Sequence, residues 1–184
     1  MEREASSLKL ELGSQAPYFS LKGTDGKIYS LESFKEAKLL VIVFTCNHCP
    51  YAQAYEQRIC TLAEMYRNQG VQFVAICSND SRGYPQDSFE NMVEKSRALG
   101  FPFPYLHDET QVTAKAYDAA CTPECYVFNS ERQLCYHGRI DDNYRDPTHV
   151  TQTELADAIE ALIDGKTPEV TLTPAIGCSI KWKA

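Results

Sequence analysis

The stretch "KLLVIVFTCNHCPYAQ", residues 38–53, decides the fold. An unbroken apolar run, Leu39 to Phe44, leads through Thr45 into a cysteine pair spaced C-x-x-C. The run is rich in β-branched residues and shows no alternation. That pattern predicts a strand buried on both faces, as in a sheet covered by helices. After it, Tyr51, Tyr55, Ile59, Leu62 and Tyr66 recur at helical spacing, and Gly70 supplies a stop. "VQFVAIC" (71–77) is a second buried strand. Strand, helix and strand in that order make a βαβ unit with a right-handed crossover. The cysteine pair therefore falls where a strand gives way to a helix. Open α/β sheets react at the carboxyl ends of their strands.

Working outward, residues 12–34 alternate short apolar segments with turn signals, and "TDGK" marks a hairpin. Phe89, Met92, Val93 and Ser96 share a helical face that ends at Gly100. "FPFPYL" is too rich in proline for a helix and should be extended. A short helix is expected around residues 111–119. "CYVFN" and "LCYHG", joined through "SERQ", read as an antiparallel hairpin. The last helix carries Leu155, Ala158, Ile159 and Leu162, with Thr151 and Glu154 as its expected capping box. Residues 166–184 are expected to be an irregular tail packed on the domain. The sum is one α/β domain over residues 1–184 with a mixed sheet.

With 184 residues the chain can bury a sizeable core. Its net charge of -7 argues against nucleic-acid and anionic-membrane partners. No apolar run approaches the roughly 18 residues of a membrane span. The first residues lack an apolar signal region, so a cytoplasmic location is expected. Eight cysteines in such a chain are expected to be buried, catalytic or metal-bound rather than a disulfide framework.

The chemistry of the pair follows from charge. A free thiol near pKa 8.5 is only about 3% thiolate at pH 7. The unpaired N–H groups of a helix start favour the anion, and a protonated His48 would add to this. A downward shift of about two units corresponds to roughly 2.7 kcal/mol. Cys46, at the strand end, is expected to be the more exposed and the attacking thiolate. Cys49, one turn in, would resolve the mixed disulfide. Pro50 suits the first helical turn. Two other readings stand beside this one. Half a zinc site needs two further ligands, and Cys121 with Cys125 form a poor second half. The pair could also be plain core. His48 is either a tuning group or a solvated side chain.

"GSQAPYFSLKGTDGKIYSLESF", "FTCNHCPYA", "CTPE" before "CYVFN", and "GRIDDN" with the ending "GCSIKWK" span almost the whole chain. Together they resemble the thioredoxin-like superfamily, in its peroxiredoxin-like (alkyl hydroperoxide reductase and thiol-specific antioxidant) redoxin branch. The resemblance implies a thioredoxin-like fold: a central mixed sheet flanked by helices, with an N-terminal β-hairpin extension. It implies that Pro123 is a cis proline beside the centre and that an extended substrate pairs with the Thr122 backbone.

The departures from that pattern are informative. Thr45 replaces the usual tryptophan, and Asn47 and His48 replace Gly-Pro. The strand before the centre lacks the buried acid found in many thioredoxins. Glu124 is the substitute considered, against a solvated loop acid. The peroxidatic spacing Pro-x-x-x-Thr/Ser-x-x-Cys is not met from Cys46 or Cys49. Cys60 and Cys77 read as inert core, and Cys135 as a hairpin residue without a role. Cys121 and Cys178 are expected to be bystanders, although either could approach the centre.

The expected function is thiol–disulfide exchange with no prosthetic group. Cys46 attacks a protein or small-molecule disulfide, Cys49 resolves, and Thr122 with Pro123 shapes binding. The electron donor would be a thioredoxin-reductase or glutathione system. The alternatives are a thiol peroxidase using Cys46, and a metal-binding or chaperone-like module.

Overall fold

The protein is described here by a computed structural model covering residues 3–183. The strands are β1 (Arg3–Ala5), β2 (Ser20–Gly23), β3 (Ile28–Ser30), β4 (Leu39–Phe44), β5 (Val71–Cys77), β6 (Tyr105–His107), β7 (Cys121–Thr122), β8 (Glu124–Phe128), β9 (Leu134–Gly138) and β10 (Ile176–Ser179). The helices are α1 (Pro50–Tyr66), α2 (Phe89–Leu99), α3 (Val112–Tyr117) and α4 (Glu154–Ile163). Seven strands form a mixed sheet in the order β3-β2-β6-β5-β4-β8-β9. The strands β4 and β5 are parallel, joined through α1, and β4 pairs antiparallel with β8. The "TDGK" hairpin is the β2–β3 pair.

Every residue of β4 is buried, because both sheet faces are covered. Alternate side chains feed two cores. Leu39, Val41 and Val43 join Tyr55, Ile59, Leu155 and both centre cysteines. Leu40, Ile42 and Phe44 join Phe34, Tyr117 and Tyr126 on the other face. Gly70 and Gly100 take left-handed backbone (φ 85° and 59°) just after the helical segments they end.

Two expectations need correction. The tail is not irregular throughout. Its β10 lies between β1 and β7 in a second, three-stranded sheet. The pattern "IGCS" is too short for periodicity to register. The final helix has no Thr151–Glu154 capping box, because Thr153 is its N-cap. Thr151 instead binds Asp142, and Glu154 turns to Arg139.

Ile42→Ala should cost about 2–5 kcal/mol, because Ile42 is fully buried between neighbours that cannot collapse onto the void. Urea unfolding should show a lower midpoint at an unchanged slope. A loss under about 1 kcal/mol would mean that this face is loosely packed.

Candidate active site

Cys46 lies just beyond β4, and Cys49 is the N-cap of α1. This corrects the expectation that Cys49 sits one turn inside the helix. The Cys49 sulfur accepts from the Ala52 N–H at 3.4 Å, as an N-cap side chain does. Nor is Cys46 the exposed partner: the two residues are 2% and 0% exposed. Pro50 takes the first helical position, where no donor is needed.

The Thr122–Pro123 bond is cis. The Thr122 hydroxyl stands 3.5 Å from Cys46 Sγ, and its carbonyl oxygen stands 3.2 Å from Cys49 Sγ. Thr122 thus touches both thiols. Its backbone is not free, however, because β10 pairs with β7. A third thiol arrives with that strand: Cys178 Sγ lies 2.8 Å from Cys49 Sγ. Cys121 does not join them. Its sulfur contacts Glu124 and the Ala175 carbonyl.

The acid near the thiols is Asp87, which the sequence reading missed. It is fully buried in the loop after β5. One carboxylate oxygen accepts from the Asn47 and His48 N–H groups at 2.7 and 3.1 Å. The other meets His48 Nδ1 at 2.5 Å and accepts from the Asn79 amide at 2.8 Å. His48 also stacks on Tyr84, and its Nδ1 is 4.0 Å from Cys46 Sγ. It is therefore mostly buried rather than solvated. Only a polar loop at the carboxyl end of β5 hinted at such a group.

Glu124 is not a solvated loop acid. It is fully buried, bound by His137 Nε2 at 2.5 Å and by Tyr126 OH at 3.1 Å. It also accepts from the Ala120 and Cys121 N–H groups. Neither centre thiol is among these partners. Tyr126 belongs to the core opposite the one holding Cys46 and Cys49. Glu124 therefore holds the backbone leading into Thr122 and does not sit beside the sulfurs.

The electrostatics of the pair are lopsided. A hydrogen bond from Cys46 is the main influence drawing the Cys49 pKa down to about 5. The Cys178 thiol, Thr122 and the Ala52 N–H assist, against the effect of burial. The partner moves the other way. The bond to Cys49, burial and the Asp87 charge all push Cys46 well up, with Cys77 adding to them. The two thiols therefore titrate as a pair, in which the anion is favoured at Cys49 and opposed at Cys46. Burial pushes Cys60 to about 11 and Cys77 to about 12, consistent with inert core thiols.

Cys46 Sγ, His48 Nδ1 and an Asp87 carboxylate oxygen lie within 4.8 Å of one another, the metal-competent cluster found among the described residues. A cleft of about 200 Å³ opens beside Pro123, lined by Tyr51, Tyr55, Tyr144 and Ile176 among others. No helix among the described residues is long and apolar enough to cross a membrane.

The sequence matches the AhpC/TSA family over residues 12–137. The chain belongs to that family. An uncharacterized conserved protein from Geobacillus kaustophilus is 45% identical, with a TM-score of 0.94 over 100% of this chain and 97% of its own. A hypothetical protein from Sinorhizobium meliloti 1021 is 37% identical, with a TM-score of 0.93 over 98% and 100%. The thioredoxin domain of a thiol-disulfide oxidoreductase from Bacteroides vulgatus is 14% identical, with a TM-score of 0.59 over 70% and 89%. That likeness shows the thioredoxin-like fold alone. No curated protein matches the chain.

Asp87 and His48 should move Cys46 in opposite directions. Both are read in a Cys49→Ser background, which removes the paired titration. Asp87→Asn deletes a negative charge that raises Cys46, so alkylation of Cys46 should begin at lower pH. His48→Ala removes the ring that meets the Asp87 carboxylate at 2.5 Å and leaves that charge less screened from Cys46, so alkylation should need higher pH. Equal profiles for the two variants would remove the pair from any role in tuning the thiol.

Proposed function

We propose that the protein is a thiol–disulfide oxidoreductase working through a Cys46–Cys49 dithiol/disulfide couple. The observation carrying this reading is a pair of buried thiols at a helix N-terminus, both touched by Thr122, with the Cys49 pKa drawn down to about 5. Such a group is almost wholly thiolate at pH 7, against about 3% for free cysteine.

The resting anion on Cys49 serves as the base for Cys46. As Cys46 attacks a substrate disulfide, its proton passes to Cys49, and the Thr122 hydroxyl supports the developing charge. A bond forms between Cys46 and one substrate sulfur, and the other leaves as a thiolate. Cys49 then gives up its proton to that thiolate and attacks Cys46. The second substrate sulfur leaves as a thiolate, which takes its proton from solvent, and the Cys46–Cys49 disulfide remains. Two electrons have moved to the substrate. A reducing dithiol, of the thioredoxin-reductase- or glutathione-coupled kind, would restore the couple. We place this activity in the cytoplasm, whose reducing poise suits eight free cysteines.

A second reading is favoured by the Cys46, His48 and Asp87 cluster, which offers three donors to a metal ion. Zinc would need a fourth ligand, and His48 would have to give up its bond to Asp87.

Insulin disulfides, with dithiothreitol as donor, test the exchange. Cys46→Ser should abolish turnover, and Cys49→Ser should trap a mixed disulfide on Cys46. A trap found instead on Cys49 in Cys46→Ser would reverse the two roles. Stoichiometric zinc retention without turnover would favour the metal reading.

The potential also has a predicted pH dependence. Below about pH 5 the reduced pair holds two protons, and the potential should fall by about 59 mV per pH unit. Above that pH only one proton is bound on reduction, so the slope should halve to about 30 mV. Linkage gives a matching sign for stability. Cys49 is depressed in the fold, so the reduced protein gains stability as pH rises from about 5 towards 9, the ordinary thiol value. The gain is lost as pH falls through 5. The oxidised protein should lack this dependence. A slope near 59 mV at pH 7 would contradict the single-thiolate state.

A further inference from the structure

The tail strand β10 runs along the edge of β7, with Cys178 the register partner of Thr122 and Ser179 that of Cys121. The Ile180 N–H donates to the Ala120 carbonyl at 3.0 Å, and β1 pairs along the other side of β10. Gly177 permits the approach. A Cβ there would stand 1.9 Å from the Thr122 carbonyl oxygen, so any larger residue pushes the strands apart. This segment of the chain itself occupies the edge where an extended peptide would add a strand beside the thiols. Like such a peptide, it carries a cysteine. The Cys178 sulfur is buried and lies 2.8 Å from Cys49 Sγ.

We propose that Cys178 is a third redox thiol, which exchanges with the Cys46–Cys49 disulfide and makes β10 a tethered internal substrate. The proposal rests on the dithiol reading above. In the step, the Cys178 thiolate attacks Cys49 Sγ. The Cys49–Cys178 bond forms and the Cys46–Cys49 bond breaks. Cys46 leaves as a thiolate and takes the proton that Cys178 gave up. One disulfide is present before and after, so no outside oxidant or reductant enters. Cys46 is left free to react while the protein stays oxidised.

The same contacts time the step. In the reduced protein, burial and then the bond to Cys49 and its charge hold the Cys178 proton, with its pKa pushed to about 12. Oxidation of Cys49 removes both the bond and the charge. Lys181 then favours the Cys178 anion against burial alone. Cys178 is thereby held back until the couple has oxidised.

The test maps disulfides in the full chain after oxidation with diamide, acid quenching and alkylation. In Cys46→Ser, a Cys49–Cys178 linked peptide should form. In Gly177→Ala, that link should be lost while Cys46–Cys49 is kept. A Cys46→Ser protein without the link, beside a wild type that forms Cys46–Cys49, overturns the relay and leaves the dithiol reading standing. A folded Cys178→Ser protein unable to form Cys46–Cys49 overturns the dithiol reading, and the relay with it.

Discussion

The antiparallel register of β4 on β8 is the constraint from which the centre follows. Phe44 faces Glu124 in that ladder. Continuing it two residues past the strand end brings Cys46 opposite Thr122, where the 3.5 Å contact is found. The β10–β7 ladder then sets Cys178 opposite the same Thr122. One threonine is thus the meeting point of two registers, and three sulfurs gather around it. A slip of one residue in either ladder would turn its cysteine to the other face. In the β4–β8 ladder, the apolar burial of β4 on both sides opposes the slip. Leu40, Ile42 and Phe44 cannot change places with Val41 and Val43 without unpacking two cores.

This explains what could be read from the chain. The runs at residues 39–44 and 71–77 are strong signals because burial on both faces admits only apolar residues. The strand–helix junction at Cys46 and Cys49 followed from them. The partners of that junction were hidden. Asp87 reaches the Asn47 and His48 N–H groups from a loop some forty residues away, and no local pattern encodes that distance. Cys178 is placed by pairing at a sheet edge, which four residues cannot announce by periodicity. Glu124 was legible as an unusual acid but not as one facing away from the thiols. Its direction depends on which side of β8 each residue takes.

The two buried acids divide the work. Glu124 accepts backbone N–H groups from Ala120 and Cys121 and so fixes the strand that carries Thr122. Asp87 accepts backbone N–H groups from Asn47 and His48 and so fixes the loop between the cysteines. Each satisfies donors that would otherwise be buried without a partner, a loss of about 1–3 kcal/mol apiece. Their electrostatic effects differ because the Asp87 charge bears on Cys46, whereas that of Glu124 bears on Cys121 and Cys125. Asp87 disfavours an anion on Cys46 and leaves Cys49, capped by the helix, as the place where charge rests.

Cys49 stands between Cys46 and Cys178, and an anion on it opposes ionisation of either neighbour. The proposed exchange is therefore sequential: whichever sulfur becomes bonded surrenders the charge to another. An anion is favoured at Cys49 in the reduced state because the Cys46 and Cys178 thiols, the Thr122 side chain and the Ala52 N–H all stabilise it there. Once Cys49 enters a disulfide, the leading influence that raised Cys46 is gone, and so are two of those that raised Cys178. Both flanking sulfurs then become easier to ionise, one as leaving group and the other as nucleophile. Exchange across Cys49 needs that combination, because a good leaving thiol speeds the break as a thiolate speeds the attack.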